Sequence, residues 1–165
     1  MVAVRSPKHA DALQVALRLL AVRARSRHEL QLALARKGFS AREQELAFAG
    51  LERFGYLDDA RFARQRALTL LERGGLGRKA VLERLRAHGL PEEQARRAVD
   101  ESEAELKFDE AAAARAVLRK RRIFNLADAR ESARAARTLL SRGFSSTVIS
   151  DLVGEAPLDS GSEDD

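Results

Sequence analysis

Apolar side chains recur along this chain at helical spacing. Leu13, Ala16, Leu17, Leu20 and Ala24 fall on one helical face. Ser26 and Glu29 form a capping-box pair that opens a second helix to about Lys37, with Leu30, Ala33 and Leu34 inward. A third helix, about 41–54, carries Leu46, Ala47, Gly50, Leu51 and Phe54. The same rhythm predicts helices near 59–73, 78–88 and 91–105, then near 109–122, 126–142 and 146–153. Ala63, Ala67, Leu70 and Leu71 mark the inner face of the first of these six. Val148, Ile149, Leu152 and Val153 mark that of the last. No stretch alternates apolar and polar positions among β-branched residues, so the expected fold class is all-α.

One break recurs between these helices. "RKGFS" (36–40), "RAHGLP" (86–91) and "SRGFSS" (141–146) each end a helix at a glycine, follow it with an apolar residue and start a new helix at once. Gly38, Gly89 and Gly143 are 51 and 54 residues apart. The residue after each, Phe39, Leu90 or Phe144, stands where a Schellman cap places its hydrophobic contact. Ser40 with Glu43, Pro91 with Glu92 and Glu93, and Ser145 with Phe144 stapled to Ile149 are the matching helix starts. A period of this size predicts tandem repeats. Three three-helix modules are expected at 9–57, 58–106 and 107–154, in an elongated, curved array. A disordered acidic tail is expected at 155–165. A three-helix unit of this length buries little surface alone and gains by packing on its neighbours.

Charge sharpens this picture. The chain holds 30 Lys and Arg against 25 Asp and Glu. Six of those acids lie in 151–165, which leaves residues 1–150 with 30 bases, 19 acids and a charge of +11. Arginine far outnumbers lysine, and its planar fork suits phosphates and carboxylates. There is no cysteine, so disulfides and thiolate metal sites are excluded. No apolar run has the length of a signal core or a membrane span, so a cytoplasmic protein is expected.

Candidate catalytic chemistry is sparse. "HE" at 28–29 lacks the second histidine of a metalloprotease helix. "GGLGRK" (74–79) lacks the spacing and preceding strand of a phosphate-binding loop and reads as a turn between helices. In "GYLDDARFA" (55–63), Gly55 ends a helix, Tyr56 and Leu57 pack, Asp58 caps the next helix and Asp59 lies in its first turn. No catalytic residue, metal or cofactor is expected.

"SRHELQLALARKGF" followed by "LERFGYLDDARFA" resembles the RecX family, bacterial regulators of the RecA recombinase. The resemblance rests on Ser26, Glu29, Leu30, Leu34, Lys37, Gly38 and Phe39, then Gly55, Tyr56, Leu57, Asp58, Asp59, Phe62 and Ala63. "LLSRGFSSTVI" (139–149), with Gly143 and Phe144, is similar to the family's third-unit ending. The alanine-rich third unit departs from the pattern, with Phe124 its only aromatic between 109 and 143. The family fold, tandem three-helix units, agrees with the periodicity. The resemblance implies a non-enzymatic protein that binds the RecA filament on single-stranded DNA and restrains its ATP hydrolysis and strand exchange. Glycines 38, 55, 89 and 143 and the apolar and aspartate positions of these motifs are then mainly structural.

The basic runs are the candidate contacts. Arg25 and Arg27, with Arg23, straddle the first helix break. Arg78 and Lys79 open a helix, and "LRKRR" puts Arg119, Lys120, Arg121 and Arg122 at the end of another. Such residues serve as a solvated, dipole-matched surface or as contacts to acidic filament surface or DNA phosphate. A monomer is expected, with weak nonspecific DNA binding and no membrane. The alternative is a helix-turn-helix-like DNA-binding regulator, since helices here meet at short glycine turns. Against it, the helices after "RKGFS" and "HGLP" begin with acids that would repel phosphate.

Overall fold

The computed structural model describes residues 8–154, and side chains from Asp11 onward. The expected acidic tail at 155–165 lies outside the described residues. Nine helices and no strand make up the described residues: α1 (Lys8–Val22), α2 (Arg27–Arg36), α3 (Ala41–Arg53), α4 (Asp59–Glu72), α5 (Arg78–Ala87), α6 (Glu92–Leu106), α7 (Glu110–Lys120), α8 (Ala129–Leu140) and α9 (Ser146–Val153). The fold is fully helical.

The helix ends follow the chemistry of their sequence. Ser26 and Ser40 each accept the backbone N–H three residues on, while Glu29 and Glu43 reach back to the cap N–H, so both capping boxes form. At the first break, the Gly38 N–H bonds the Ala35 carbonyl and the Phe39 N–H bonds the Leu34 carbonyl. At the third, Gly143 and Phe144 repeat this on Leu140 and Leu139. These paired bonds are the Schellman closure. The same closure occurs with no glycine at Lys107, whose φ is 48°, and at Arg122, whose φ is 56°.

Two compact units divide the chain: Met1–Ala67 with Arg84–Glu101, and Leu68–Glu83 with Ser102–Asp165. The division passes through α4, α5 and α6. In the first unit, Ala16, Leu30, Leu34, Phe48, Leu51 and Leu57 form a core, flanked by Leu13, Leu17, Leu20 and Phe39. Gln44 is buried beside it and spends its amide on the Phe39 carbonyl at 2.8 Å. In the second unit, Ala114, Val117, Leu118, Ile123, Ala135, Leu139, Phe144 and Val153 form a core with Val148 and Ile149 against it.

Several sequence expectations are corrected here. Leu46 and Phe54 were expected inward on α3 but are 51% and 69% exposed. Ala47 and Leu51 are buried as expected, and Gln44 and Phe48 complete the buried stripe of α3 in place of Leu46 and Phe54. Phe48 is fully buried in that stripe. Tyr56 does not pack with Leu57: it is 59% exposed while Leu57 is buried. Ala24 lies beyond the end of α1 and is exposed. α8 begins at Ala129 rather than 126, because Asp128 caps it by accepting the N–H groups of Arg130 and Glu131.

Candidate partner-binding surface

The candidate basic residues fall into two structurally different sets. Arg27 and Arg78 are built into joints between successive repeats. The Arg27 N–H, at the start of α2, donates to Asp59 Oδ1 at 2.7 Å. Its guanidinium pairs with Glu52 and, at 2.6 Å, with Glu45, and lies 4.8 Å from the centre of the Phe48 ring. At the start of α5, the Arg78 N–H donates to Glu110 Oε1 at 3.3 Å and the guanidinium pairs with Glu103. Arg27, Glu52 and Asp59 are each 51 residues before Arg78, Glu103 and Glu110. One arrangement has been used twice.

The glycine breaks complete each joint. Ser26 Oγ donates to the His88 carbonyl at 2.6 Å, and Gly89 lies so close to the His28 ring that a Cβ there would overlap it. In the second joint the Gly77 N–H donates to the Arg142 carbonyl at 2.9 Å and the Lys79 N–H to the Gly143 carbonyl at 3.0 Å. A Cβ on Gly143, whose φ is 74°, would overlap the Ala80 backbone. Gly38 has no described atom within 4 Å of a Cβ built on it. The later breaks therefore receive the helix start of the preceding repeat, while the first leads no such contact among the described residues.

The neighbouring charges support the first joint. Arg23 forms a two-pronged pair with Glu29 at 2.8 and 3.2 Å. Burial pushes the Glu29 carboxyl up, but the bonds from Arg23 and the Ser26 N–H, with the Arg23 charge, outweigh it and hold that group below its ordinary range. At Asp59 burial prevails over the Arg27 N–H and charge, and the carboxyl is raised. Asp58 caps α4 through the Arg61 N–H at 2.9 Å. Phe62 meets the His88 ring edge-on at 5.3 Å. Arg25 is half-buried, with its Nε directed at the Leu19 carbonyl at 3.4 Å.

The second set is outward. Lys79 contributes its N–H to a joint but its side chain is exposed. Arg119, Lys120, Arg121 and Arg122 are all exposed, and their side chains make no ion pair with any described residue. Clustered cations at the end of α7 match the negative end of its dipole and leave their donors open to an anionic partner.

Sequence reading missed Glu103 and Glu110 as joint residues. The signal was present: they stand one 51-residue period after Glu52 and Asp59.

Residues 12–47 match the family description "RecX, first three-helix domain", and residues 58–99 match "RecX, second three-helix domain". A regulatory protein RecX of Syntrophotalea carbinolica is 35% identical over 142 residues, 84% of this chain and 92% of that one. One from Thermus thermophilus is 40% identical over 134 residues, 81% of this chain and 84% of its own. Another, from Amycolatopsis mediterranei, is 37% identical over 114 residues, 69% of this chain and 63% of its own. The crystal structure of RecX from Lactobacillus salivarius shares the fold with a TM-score of 0.72, covering 90% of this chain and 96% of that one at 18% identity.

Proposed function

Because this chain belongs to the RecX family of regulatory proteins, we propose that it is a non-enzymatic regulator of the RecA recombinase. It binds the RecA filament on single-stranded DNA in the cytoplasm and restrains ATP hydrolysis and strand exchange. The observation that carries the reading is the ordered match to two successive RecX domains within relatives aligned over most of their length.

The side-chain geometry adds a division of labour. Three three-helix modules, 9–57, 58–106 and 107–154, form the binding body, and Arg27 and Arg78 hold successive modules together. Contact with the filament falls to the cationic side chains that the joints do not use: Lys79 and, above all, Arg119–Arg122. Several weak contacts on one chain reinforce each other, since each engaged site raises the local concentration of the next. Restraint of turnover follows if the protein binds the filament state that hydrolyses slowly more tightly than the state that turns over.

The test is ATP turnover by RecA on single-stranded DNA while this protein is titrated in. Suppression is expected at or below one copy per RecA, with no hydrolysis by the protein alone. Unchanged turnover and strand exchange at several-fold excess, with no detectable binding, would falsify the reading.

A further inference from the structure

The segment between α7 and α8 carries an exposed aromatic ring beside four cations. Phe124 is 71% exposed, although its neighbour Ile123 is buried in the core. Its exposure is imposed by the backbone. The Ile123 N–H closes α7 on the Leu118 carbonyl at 3.0 Å, and Glu131 accepts the N–H groups of Phe124 and Asn125 at 3.3 and 3.0 Å. The ring is thus held outward by anchored neighbours, and much of the ordering cost of binding is already met.

The electrostatics around it are one-sided. Residues 111–140 hold eight bases and two acids. Both acids are occupied with backbone donors: Asp128 caps α8, and Glu131 holds the Phe124 segment. Arg122 adds a separate sign. It sits at φ 56°, a conformation that glycine fills at the repeated breaks and that is strained for an arginine. A cation kept at a strained position is a reason to look for its use.

We propose that Phe124 and Arg119–Arg122 form a binding site for single-stranded nucleic acid. One base stacks on the Phe124 ring, and the arginines take the adjoining phosphates. A ring on a loop flanked by positive charge is the pairing of stacking platform and electrostatic groove that single strands use. Duplex bases are already stacked on each other and offer the ring no face. An apolar pocket on a protein is a poor match, because closing it over Phe124 would strip water from the adjacent cations. The proposal goes beyond the recombinase reading, since this binding needs no RecA.

The experiment uses the full chain and a labelled oligo(dT) at low salt, without RecA, followed by anisotropy. Phe124→Ala is expected to weaken oligo(dT) binding about fivefold or more, the lower end of what one stacked base contributes. Helical content and duplex affinity should not change, and Phe124→Tyr should restore binding. The chain contains no tryptophan, so F124W supplies a single indole whose emission should be quenched by oligo(dT). Wild-type affinity in F124A, no oligo(dT) binding by the parent protein, or unmoved F124W emission at saturation each overturns the site. Lost oligo(dT) binding with intact suppression of RecA supports the site and leaves the regulatory reading in place. Intact oligo(dT) binding with lost suppression assigns Phe124 to a protein contact and rejects the site.

Discussion

Arg27 and Arg78 occupy the same place in two successive joints. Each donates its backbone N–H to a carboxylate at the start of the next repeat, Asp59 or Glu110, and its guanidinium to a glutamate near the end of its own, Glu52 or Glu103. Basic residues at helix starts invite a reading as partner contacts. Here the partners of these two lie within the chain.

Replacing either arginine should therefore cost stability, whereas replacing an outward one should not. Arg27→Ala and Arg78→Ala are expected to lose roughly 1–2 kcal/mol, through the lost guanidinium–glutamate pairs and lost packing of the arginine stem. Arg121→Ala should stay within about 0.5 kcal/mol of the parent, as exposed substitutions do. Urea denaturation followed by circular dichroism measures all three, and equal losses would reject the distinction.

The glycine breaks should differ in the same way. Gly38→Ala faces only the left-handed backbone, at roughly 1–2 kcal/mol. Gly143→Ala adds an overlap with the Ala80 backbone and separates the Gly77–Arg142 and Lys79–Gly143 bonds. Its expected loss is greater by at least about 2 kcal/mol, the scale of two backbone bonds disrupted together. Thermal melts of the two variants compare them directly.

A stabilising change is expected at Lys107. This residue closes α6 at φ 48° where the closure prefers glycine. Lys107→Gly should gain about 0.5–1 kcal/mol, the relief of left-handed strain less the extra freedom glycine gives the unfolded chain. A lower melting midpoint for K107G would contradict the assignment of strain.

Acid sensitivity should separate Glu29 from Asp59. The Glu29 carboxyl is lowered in the folded state. Its contribution is present above the unfolded value, about 4.3, and is lost as pH falls through the folded one. Asp59 is raised, so its contribution favours folding below its unfolded value, about 3.9, and is lost as pH rises through the folded one. Glu29→Gln should reduce stability at neutral pH and flatten its fall on acidification. Asp59→Asn keeps an oxygen for the Arg27 N–H, and any gain it brings should appear at neutral pH and vanish near pH 3. Denaturation midpoints across pH 3–7 give both signs.

The outward cations carry the functional prediction. Reversing Arg119, Lys120, Arg121 and Arg122 to Glu should leave the helices formed, because arginine, lysine and glutamate have similar helix propensity. Suppression of RecA turnover should weaken strongly, since attraction to acidic surface or phosphate becomes repulsion. Parent-level suppression in a folded quadruple variant would return these residues to the solvated surface.

Local chemistry made much of this protein legible. Ser26 with Glu29, Ser40 with Glu43, and the glycine–aromatic breaks at 38 and 143 need only neighbouring residues to form, so the helices and their repeat could be read along the chain. The phase of α3 could not: rows 44–47–48–51 and 46–50–54 both carry apolar residues, and only packing chose the one holding Phe48. Tyr56 and Leu57 are adjacent and apolar alike, yet the turn sends one outward and the other into the core. Nor does a run of arginines state which are free. Arg27 and Arg78 are spent on acids 18 to 25 residues away, whereas Arg119–Arg122 meet none among the described residues. Helix and turn are set by contacts within a few residues of each other. Which charges remain for a partner is set by groups far apart in sequence, and only the folded chain brings those together.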